Sequence, residues 1–208
     1  MQTTSQQTEQ PNAPSGRKRP KPGERRLQIL QTIAAMLQDG AAEKVTTAAL
    51  AARLSLSEAA LYRHFASKAQ MFEGLLDFVE ETIFSLINQI ESRESAAAVK
   101  AREIVVMLLG FAEKNPGMTR VLIGDAIVNE DARLQQRVNQ LIDRVEASLR
   151  QCVRLHLAEM QSAASVDPAV QSGLAMAFVQ GRWLQFAKSG FRKRPTEGMD
   201  PAVRLLFP

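Results

Sequence analysis

The chain has 208 residues, of which 45% are hydrophobic and 23% charged, and these proportions are typical of a globular protein with a sizeable core. Its single cysteine, Cys152, excludes an internal disulfide and any zinc site built on several thiolates. No apolar run approaches the ~20 residues of a membrane span, and the polar first residues do not read as a signal segment. We therefore expect a cytoplasmic protein with no membrane partner, no cofactor and no metal.

The net charge of +4 is small but unevenly distributed. Residues 1–70 hold ten Lys or Arg against five Asp or Glu, whereas residues 71–208 hold sixteen against seventeen. A basic end on a neutral body indicates a polyanionic partner such as DNA. A solvated charged tail explains the same balance equally well, so charge alone does not decide between the two.

The first segment, 1–23, is rich in Gln, Thr, Pro and Ser and contains no Leu, Ile, Val or Phe. It predicts a disordered basic tail whose last residues could lie along phosphates. From Glu24 the apolar residues recur at helical spacing until Gly40, which predicts a first helix. Two short helical stretches follow, over 47–53 and 57–65, with three residues between them.

Three short helices of this spacing predict a helix-turn-helix domain over 24–70. Thr46 and Thr47, at the start of the second helix, offer hydroxyl and N–H groups to a phosphate. In the third helix Leu61 and Phe65 are predicted to face the core. The alternative is an ordinary helical bundle with a solvated face. The residues left for the DNA groove and its edge are Ser57, Glu58, Ala59, Tyr62, Arg63, His64 and Lys68.

The remainder of the chain, 71–208, also reads as helical, so the predicted fold class is all-α. Ser67 and Gln70 form a capping box that opens a long helix to about residue 92. The sequence predicts further helices over about 95–115, 119–123, 130–160 and 168–190, the first of them ended by Pro116 and Gly117. The tail is predicted to be irregular, with one turn near 200–206.

Residues 60–68 read Ala-Leu-Tyr-Arg-His-Phe-Ala-Ser-Lys, which closely resembles the signature at the end of the DNA-binding domain of TetR-type regulators. In that family the tyrosine, histidine and lysine contact the DNA backbone, so the resemblance implies this role for Tyr62, His64 and Lys68. Ser55 departs from the pattern, because the family usually has glycine in the turn. A left-handed serine there would cost on the order of 1 kcal/mol, so we expect a turn that differs slightly from the family's.

Segments 58–65, 108–117 and 133–141 resemble one branch of that family, the nucleoid occlusion factors. The resemblance implies a homodimer that binds specific double-stranded DNA sites on the nucleoid. It further implies that the DNA-bound protein antagonises the division protein FtsZ and blocks septum formation. The implied FtsZ-binding residues are Phe78, Gly110, Lys114 and Asn115. Leu86 departs from the pattern of this branch, which has a basic residue at that position. The departure puts one charge contact with FtsZ in doubt.

The residues themselves give part of a reason for a protein partner. Phe78 falls outside the apolar stripe of its helix, so it is either packed under a neighbouring helix or exposed for a partner. The segment 104–111 is apolar almost all round, which predicts a buried helix. Gly110 inside that helix predicts a close approach by another helix or by a partner.

The helices over 130–160 and 168–189 are expected to form the dimer interface, as they do in TetR-type proteins. The alternative is that they only close the core of the monomer. We interpret Cys152 as a packing residue and His156 as a solvated residue. The sequence contains no catalytic motif, so we do not expect an enzyme. Two other functions remain open: a ligand-responsive TetR-type repressor, and a nucleoid protein without sequence preference.

Overall fold

A computed structural model of the chain describes residues 22–39, 45–94, 96–160 and 166–207. Within them the regular structure is entirely helical, which confirms the all-α prediction. None of the described helices is long and apolar enough to cross a membrane. The basic arm and Gly40 lie outside the described residues. The helices are α1 Pro22–Gln38, α2 Thr47–Arg53, α3 Glu58–Tyr62, α4 Lys68–Arg93, α5 Ala97–Lys114, α6 Pro116–Leu122, α7 Ala132–Glu159, α8 Pro168–Lys188 and α9 Met199–Leu206, with a 3₁₀ turn at Asp125–Ile127.

Local capping chemistry sets several helix starts where the sequence indicates them. The Ser67 hydroxyl accepts a hydrogen bond from the Gln70 amide at 3.1 Å, as a capping box requires. The Gln70 side chain reaches back to the amide of Ala66 at 2.6 Å, one residue before the cap. Asp167 caps α8 by accepting from the amide of Ala169 at 2.8 Å. These bonds satisfy backbone donors that a helix start leaves unpaired.

The end of α5 is as predicted, but two later helices have other bounds than the sequence predicts. Pro116 and Gly117 do not only end α5; they are the first two residues of α6, because proline lacks the N–H that a first turn leaves unused. The predicted helix over 119–123 is therefore the second half of a longer one. Near the C-terminus the structure has a complete eight-residue helix, α9, and not a single turn. Val203 of α9 is buried, so packing against the core stabilises this helix.

The buried side chains form two clusters. The first joins α1, α2 and α3 to the start of α4, and it also takes in Val121 of α6 and Leu134 and Val138 of α7. The second lies among α4, α5, α7, α8 and α9. Trp183 is fully buried there, and its indole N–H donates to the carbonyl of Leu108 at 3.2 Å. Burial raises the pKa of the Cys152 thiol, which identifies this cysteine as a packing residue.

The helix α5 is not buried on every side, contrary to the prediction from its composition. Val106 and Met107 are only partly buried, and a Cβ added at Gly110 would have no neighbouring heavy atom within 4 Å. The predicted close approach of a helix at Gly110 is therefore wrong. It occurs instead at Gly117, where an added Cβ would lie 2.1 Å from the carbonyl oxygen of Ala34. Gly117 thus lets α6 cross α1 at backbone contact.

Candidate DNA-binding surface and partner groove

The turn between α2 and α3 has the geometry of a helix-turn-helix. Ser55 has a φ of 53°, so the serine adopts the left-handed conformation that glycine usually holds in this turn, in spite of its cost. The amide of Leu56 donates to the carbonyl of Ala51 at 2.9 Å and closes the turn. Leu61 and Phe65 are buried, as their spacing predicts, and Ser57, Ala59 and Arg63 are exposed. The helix itself is shorter than the predicted 57–65, since α3 spans only Glu58–Tyr62. One face of α3 is thus available to a ligand.

The two threonines at the start of α2 have different partners. The Thr46 hydroxyl caps α2 by accepting from the amide of Ala49 at 3.1 Å, and its own hydrogen remains available as a donor. The Thr47 hydroxyl lies 2.5 Å from a carboxylate oxygen of Glu58 and donates to it. In the free protein the Thr47 side chain is therefore turned toward α3. A contact of Thr47 with a DNA phosphate, as predicted, would therefore have to use the backbone amide of this residue.

The three residues of the family signature lie at the end of α3 and the start of α4. Tyr62 is 45% exposed, and His64 is half-buried. Lys68 is not free: its ammonium donates to a carboxylate oxygen of Glu130 at 2.5 Å. Glu130 follows the 3₁₀ turn, 62 residues further along the chain, and sequence reasoning missed it. A DNA phosphate would have to share or displace this carboxylate.

Sequence reasoning also missed Arg26 on α1. Its guanidinium lies 4.1 Å from the centre of the Phe65 ring and donates to the carbonyl of His64 at 2.5 Å. Both contacts hold the segment that follows α3 against α1. Helical periodicity gave no signal for this arginine, because its partners lie about 38 residues away.

The predicted partner residues line a groove at the other side of α4. Phe78 is 43% exposed and lies in a groove of about 270 Å³ together with Lys114 and Asn115. The Asn115 side chain donates to the carbonyl of Phe111 at 2.8 Å, which leaves its amide oxygen for another contact. Gly110 is outside the groove lining, one helical turn before Lys114. The α1 and α6 walls, missed by sequence reasoning, are Leu27, Leu30, Gln31, Ala34, Ala35, Gln38, Pro116, Gly117 and Met118.

Ion pairs with α7 involve residues of α4 on either side of Phe78 in the sequence. Arg137 of α7 pairs with Asp77 and with Glu80, the latter at 3.0 Å, and Arg144 also pairs with Glu80. Asp77 and Glu80 therefore lie toward α7. Another aromatic residue of α4, Phe84, is half-buried under the Arg144 guanidinium, which lies 4.0 Å from the centre of its ring. Phe84 already has a partner within the chain.

A second groove continues along the same pair of helices. It has a volume of about 510 Å³ and includes Leu86 of α4 with Val106 and Met107 of α5. Gly110 lies on α5 between these residues and Lys114, on the same face of the helix by the spacing of four. The exposed surface near α4 and α5 thus contains two grooves, one that includes Phe78 and one that includes Leu86. Among the described residues there is no cluster of three or more side chains that could hold a metal.

Comparison with known proteins agrees with this architecture. Residues 29–75 match the family of bacterial regulatory proteins of the tetR type, and residues 95–207 match the SlmA-like tetracycline repressor-like C-terminal domain. The fold is shared with the regulator PfmR of Thermus thermophilus, at a TM-score of 0.70, 20% identity and coverage of 86% of this chain and 94% of that one. AibR in complex with isovaleryl coenzyme A and operator DNA gives 0.71 at 17% identity, covering 88% and 98%. The two family matches therefore define the class of this protein, the TetR-type DNA-binding regulators, which are not enzymes.

The curated relatives narrow the family further. The nucleoid occlusion factor SlmA of Idiomarina loihiensis is 46% identical over 83% of this chain and 88% of its own length. The SlmA proteins of Alteromonas mediterranea and Colwellia psychrerythraea are 45% and 44% identical, over 83% and 88% of this chain and 89% and 92% of their own. The chain belongs to the SlmA family of nucleoid occlusion factors, within the TetR family.

Proposed function

We propose that this protein binds specific double-stranded DNA sites on the nucleoid as a homodimer and, when DNA-bound, antagonises FtsZ assembly, so that no septum forms there. The half-exposed Phe78 in an open groove is the observation that carries the FtsZ part. The DNA part rests on the exposed face of α3 with Tyr62, His64 and Lys68 at its edge. The domain division at residues 24–70 and 71–208 follows from the same proposal, with the tail 1–23 as a basic arm.

The groove has the properties of a binding site for a protein segment. Its walls combine the Phe78 ring, an exposed Leu27 at 50% exposure and the Lys114 ammonium at the rim. Exposed aromatic side chains beside a cation are typical of the residues that dominate binding energy at interfaces. Gly110 and Asn115 complete the proposed surface, Gly110 because an approaching chain meets no Cβ there.

The dimer is supported by an apolar stripe on α8. Val170 and Leu174 are 55% and 59% exposed, and Leu184 further along is 46% exposed. In contrast, the heptad stripe of α7, from Leu134 to Cys152, is buried within the chain and closes its own core. A second copy packed on α8 would cover the exposed residues. A dimer also supplies two DNA-reading heads for adjacent major grooves.

FtsZ sedimentation with and without operator DNA tests the proposal. We expect Phe78→Ala and Lys114→Glu to lose FtsZ antagonism while operator binding is kept, since losing one anchor costs about 2 kcal/mol, or roughly thirtyfold in affinity. The matched controls are Leu205→Ala, another exposed apolar residue, and Lys193→Glu, another exposed cation, both outside the groove. They should behave as the unmodified protein.

Thermal unfolding of the same variants separates a partner contact from a core contact. A fully buried Phe→Ala change costs about 3–5 kcal/mol of stability, so a large drop in melting temperature would assign Phe78 to the core. Normal FtsZ antagonism by both groove variants would contradict the proposal. The ligand-responsive repressor would then be the better hypothesis, testable by release from operator DNA on adding small molecules.

A further inference from the structure

The contact between Thr47 and Glu58 joins the two helices of the helix-turn-helix. The Thr47 hydroxyl donates to one carboxylate oxygen of Glu58 at 2.5 Å. Glu58 is the first residue of α3 after its cap, Ser57, and its side chain is exposed. In a docked helix-turn-helix the N-terminal residues of the second helix contact base edges in the major groove. Glu58 therefore lies where bases are read, with its carboxylate held by α2.

The chemistry of a carboxylate restricts what this side chain can read. An ionised carboxylate only accepts hydrogen bonds, and the exocyclic donors of the major groove are N4 of cytosine and N6 of adenine. Adenine also presents the acceptor N7 beside N6, and guanine and thymine present acceptors that repel a carboxylate. The Thr47 hydroxyl takes one acceptor site of the carboxylate and fixes its orientation, and the sites that remain can accept from a base amine but cannot serve the N7 of adenine. Cytosine is the base that this geometry suits.

We propose that Glu58 selects cytosine at one position of each operator half-site, and that Thr47 is the residue that positions its carboxylate. The proposal rests on the DNA-binding function proposed above and adds a specificity determinant to it. A carboxylate on the DNA-facing side repels phosphates in every sequence, so it weakens binding to all DNA. A bond to cytosine offsets that repulsion only at the correct site, and specificity follows from the difference.

The experiment is selection of preferred duplexes from a randomised library by the full-length protein and by Glu58→Gln and Thr47→Val. The unmodified protein should select a two-fold symmetric site with cytosine at one position in each half. Glu58→Gln should change that preference to adenine or remove it, with a loss of about fivefold or more in discrimination, because glutamine pairs with N6 and N7 of adenine. Thr47→Val should relax the preference at the same position only.

Two further measurements keep the proposal open to contradiction. The first is the affinity of each protein for the selected site and for the same site with that cytosine replaced by another base. The four affinities of the unmodified protein and of Glu58→Gln form a double-mutant cycle, which reports whether Glu58 and that base are coupled. The second is the melting temperature of each variant, which reports how far the hydrogen bond between Thr47 and Glu58 stabilises the packing of α2 against α3. Unchanged preference at every position, with a lowered melting temperature alone, would overturn the proposal. If the unmodified protein selected no sequence at all, the proposed DNA-binding function itself would fail.

Discussion

At the scale of single residues, a predicted DNA contact is already engaged within the free protein. Lys68 pairs with Glu130 while both side chains are largely shielded, at 25% and 18% exposure. Lysine has three donors, but a phosphate placed beside this ammonium would also face the carboxylate. The pair therefore opposes DNA binding to the extent that Glu130 must be displaced.

We expect Glu130→Gln to raise the affinity for DNA two- to fivefold for all sequences alike, since an ion pair of this kind is worth roughly 0.5–1 kcal/mol and a phosphate contact carries no base identity. Titration of labelled operator and of random duplex at fixed salt measures the effect. Glu81→Gln, at an exposed glutamate of α4, makes the same charge change elsewhere and serves as the control. Equal effects of the two variants would attribute the gain to net charge alone.

The left-handed Ser55 is a second feature of single-residue scale. Its φ of 53° is unfavourable for a residue with a Cβ, whereas glycine adopts it freely. Ser55→Gly should therefore stabilise the protein by about 0.5–1 kcal/mol, detected as a higher denaturation midpoint. Ser55→Ala keeps the Cβ and should bring no such gain. A lower midpoint for the glycine variant would show that the serine side chain stabilises the turn.

At the scale of helices, the crossing of α6 over α1 decides where the partner groove lies. Gly117 lets the two backbones meet, and the groove forms where α1, α4 and the start of α6 converge. Arg120 of α6 and Lys188 of α8 both donate hydrogen bonds to Asp125 in the 3₁₀ turn. These bonds hold the pKa of the Asp125 carboxyl below its ordinary value, and the bond from Lys188 has the larger effect. The position of α6 is thus set by backbone contact on one side and charge on the other.

Gly117→Ala and Gly110→Ala form a matched pair on adjacent helices. Gly117→Ala should destabilise the protein by about 2 kcal/mol or more, because the new methyl group meets the backbone of Ala34. Gly110→Ala meets nothing in the chain and should stabilise α5 by up to about 1 kcal/mol. Denaturant unfolding measures both changes.

The same pair carries a functional expectation. If Gly110 faces the partner, Gly110→Ala should weaken FtsZ antagonism although the folded protein becomes more stable. Full antagonism by this stabilised variant would remove Gly110 from the proposed surface and leave Phe78, Lys114 and Asn115.

At the scale of the whole molecule, the exposed stripe on α8 is the surface that the proposed dimer would cover. Leu174 is central to that stripe and 59% exposed. We expect Leu174→Glu to convert a dimer to a monomer without unfolding it, since burying an unpaired carboxylate in an apolar interface is strongly unfavourable. Sedimentation velocity measures the change, and Leu205→Glu, at a residue 86% exposed on α9, is the control. A dimer that persists in Leu174→Glu would place the interface elsewhere.

The sequence by itself determined those features that depend on neighbours a few residues apart. Helical periodicity and the caps at Ser67 and Asp167 act within one or two turns, so their signals are complete in the local sequence. The family signature at 60–68 is also a continuous segment. These together predicted the all-α fold and its helix-turn-helix, and the family comparison agrees.

Only the tertiary structure decided the features that join distant segments. Lys68 meets Glu130 and Gly117 meets Ala34 across about 62 and about 83 positions of the chain, distances over which residue spacing carries no information. Spacing left Phe78 either packed under a neighbouring helix or exposed, and its 43% exposure in the folded chain decides between the two. Composition made α5 look buried all round, yet burial depends on which helices pack beside it, and one side is left open.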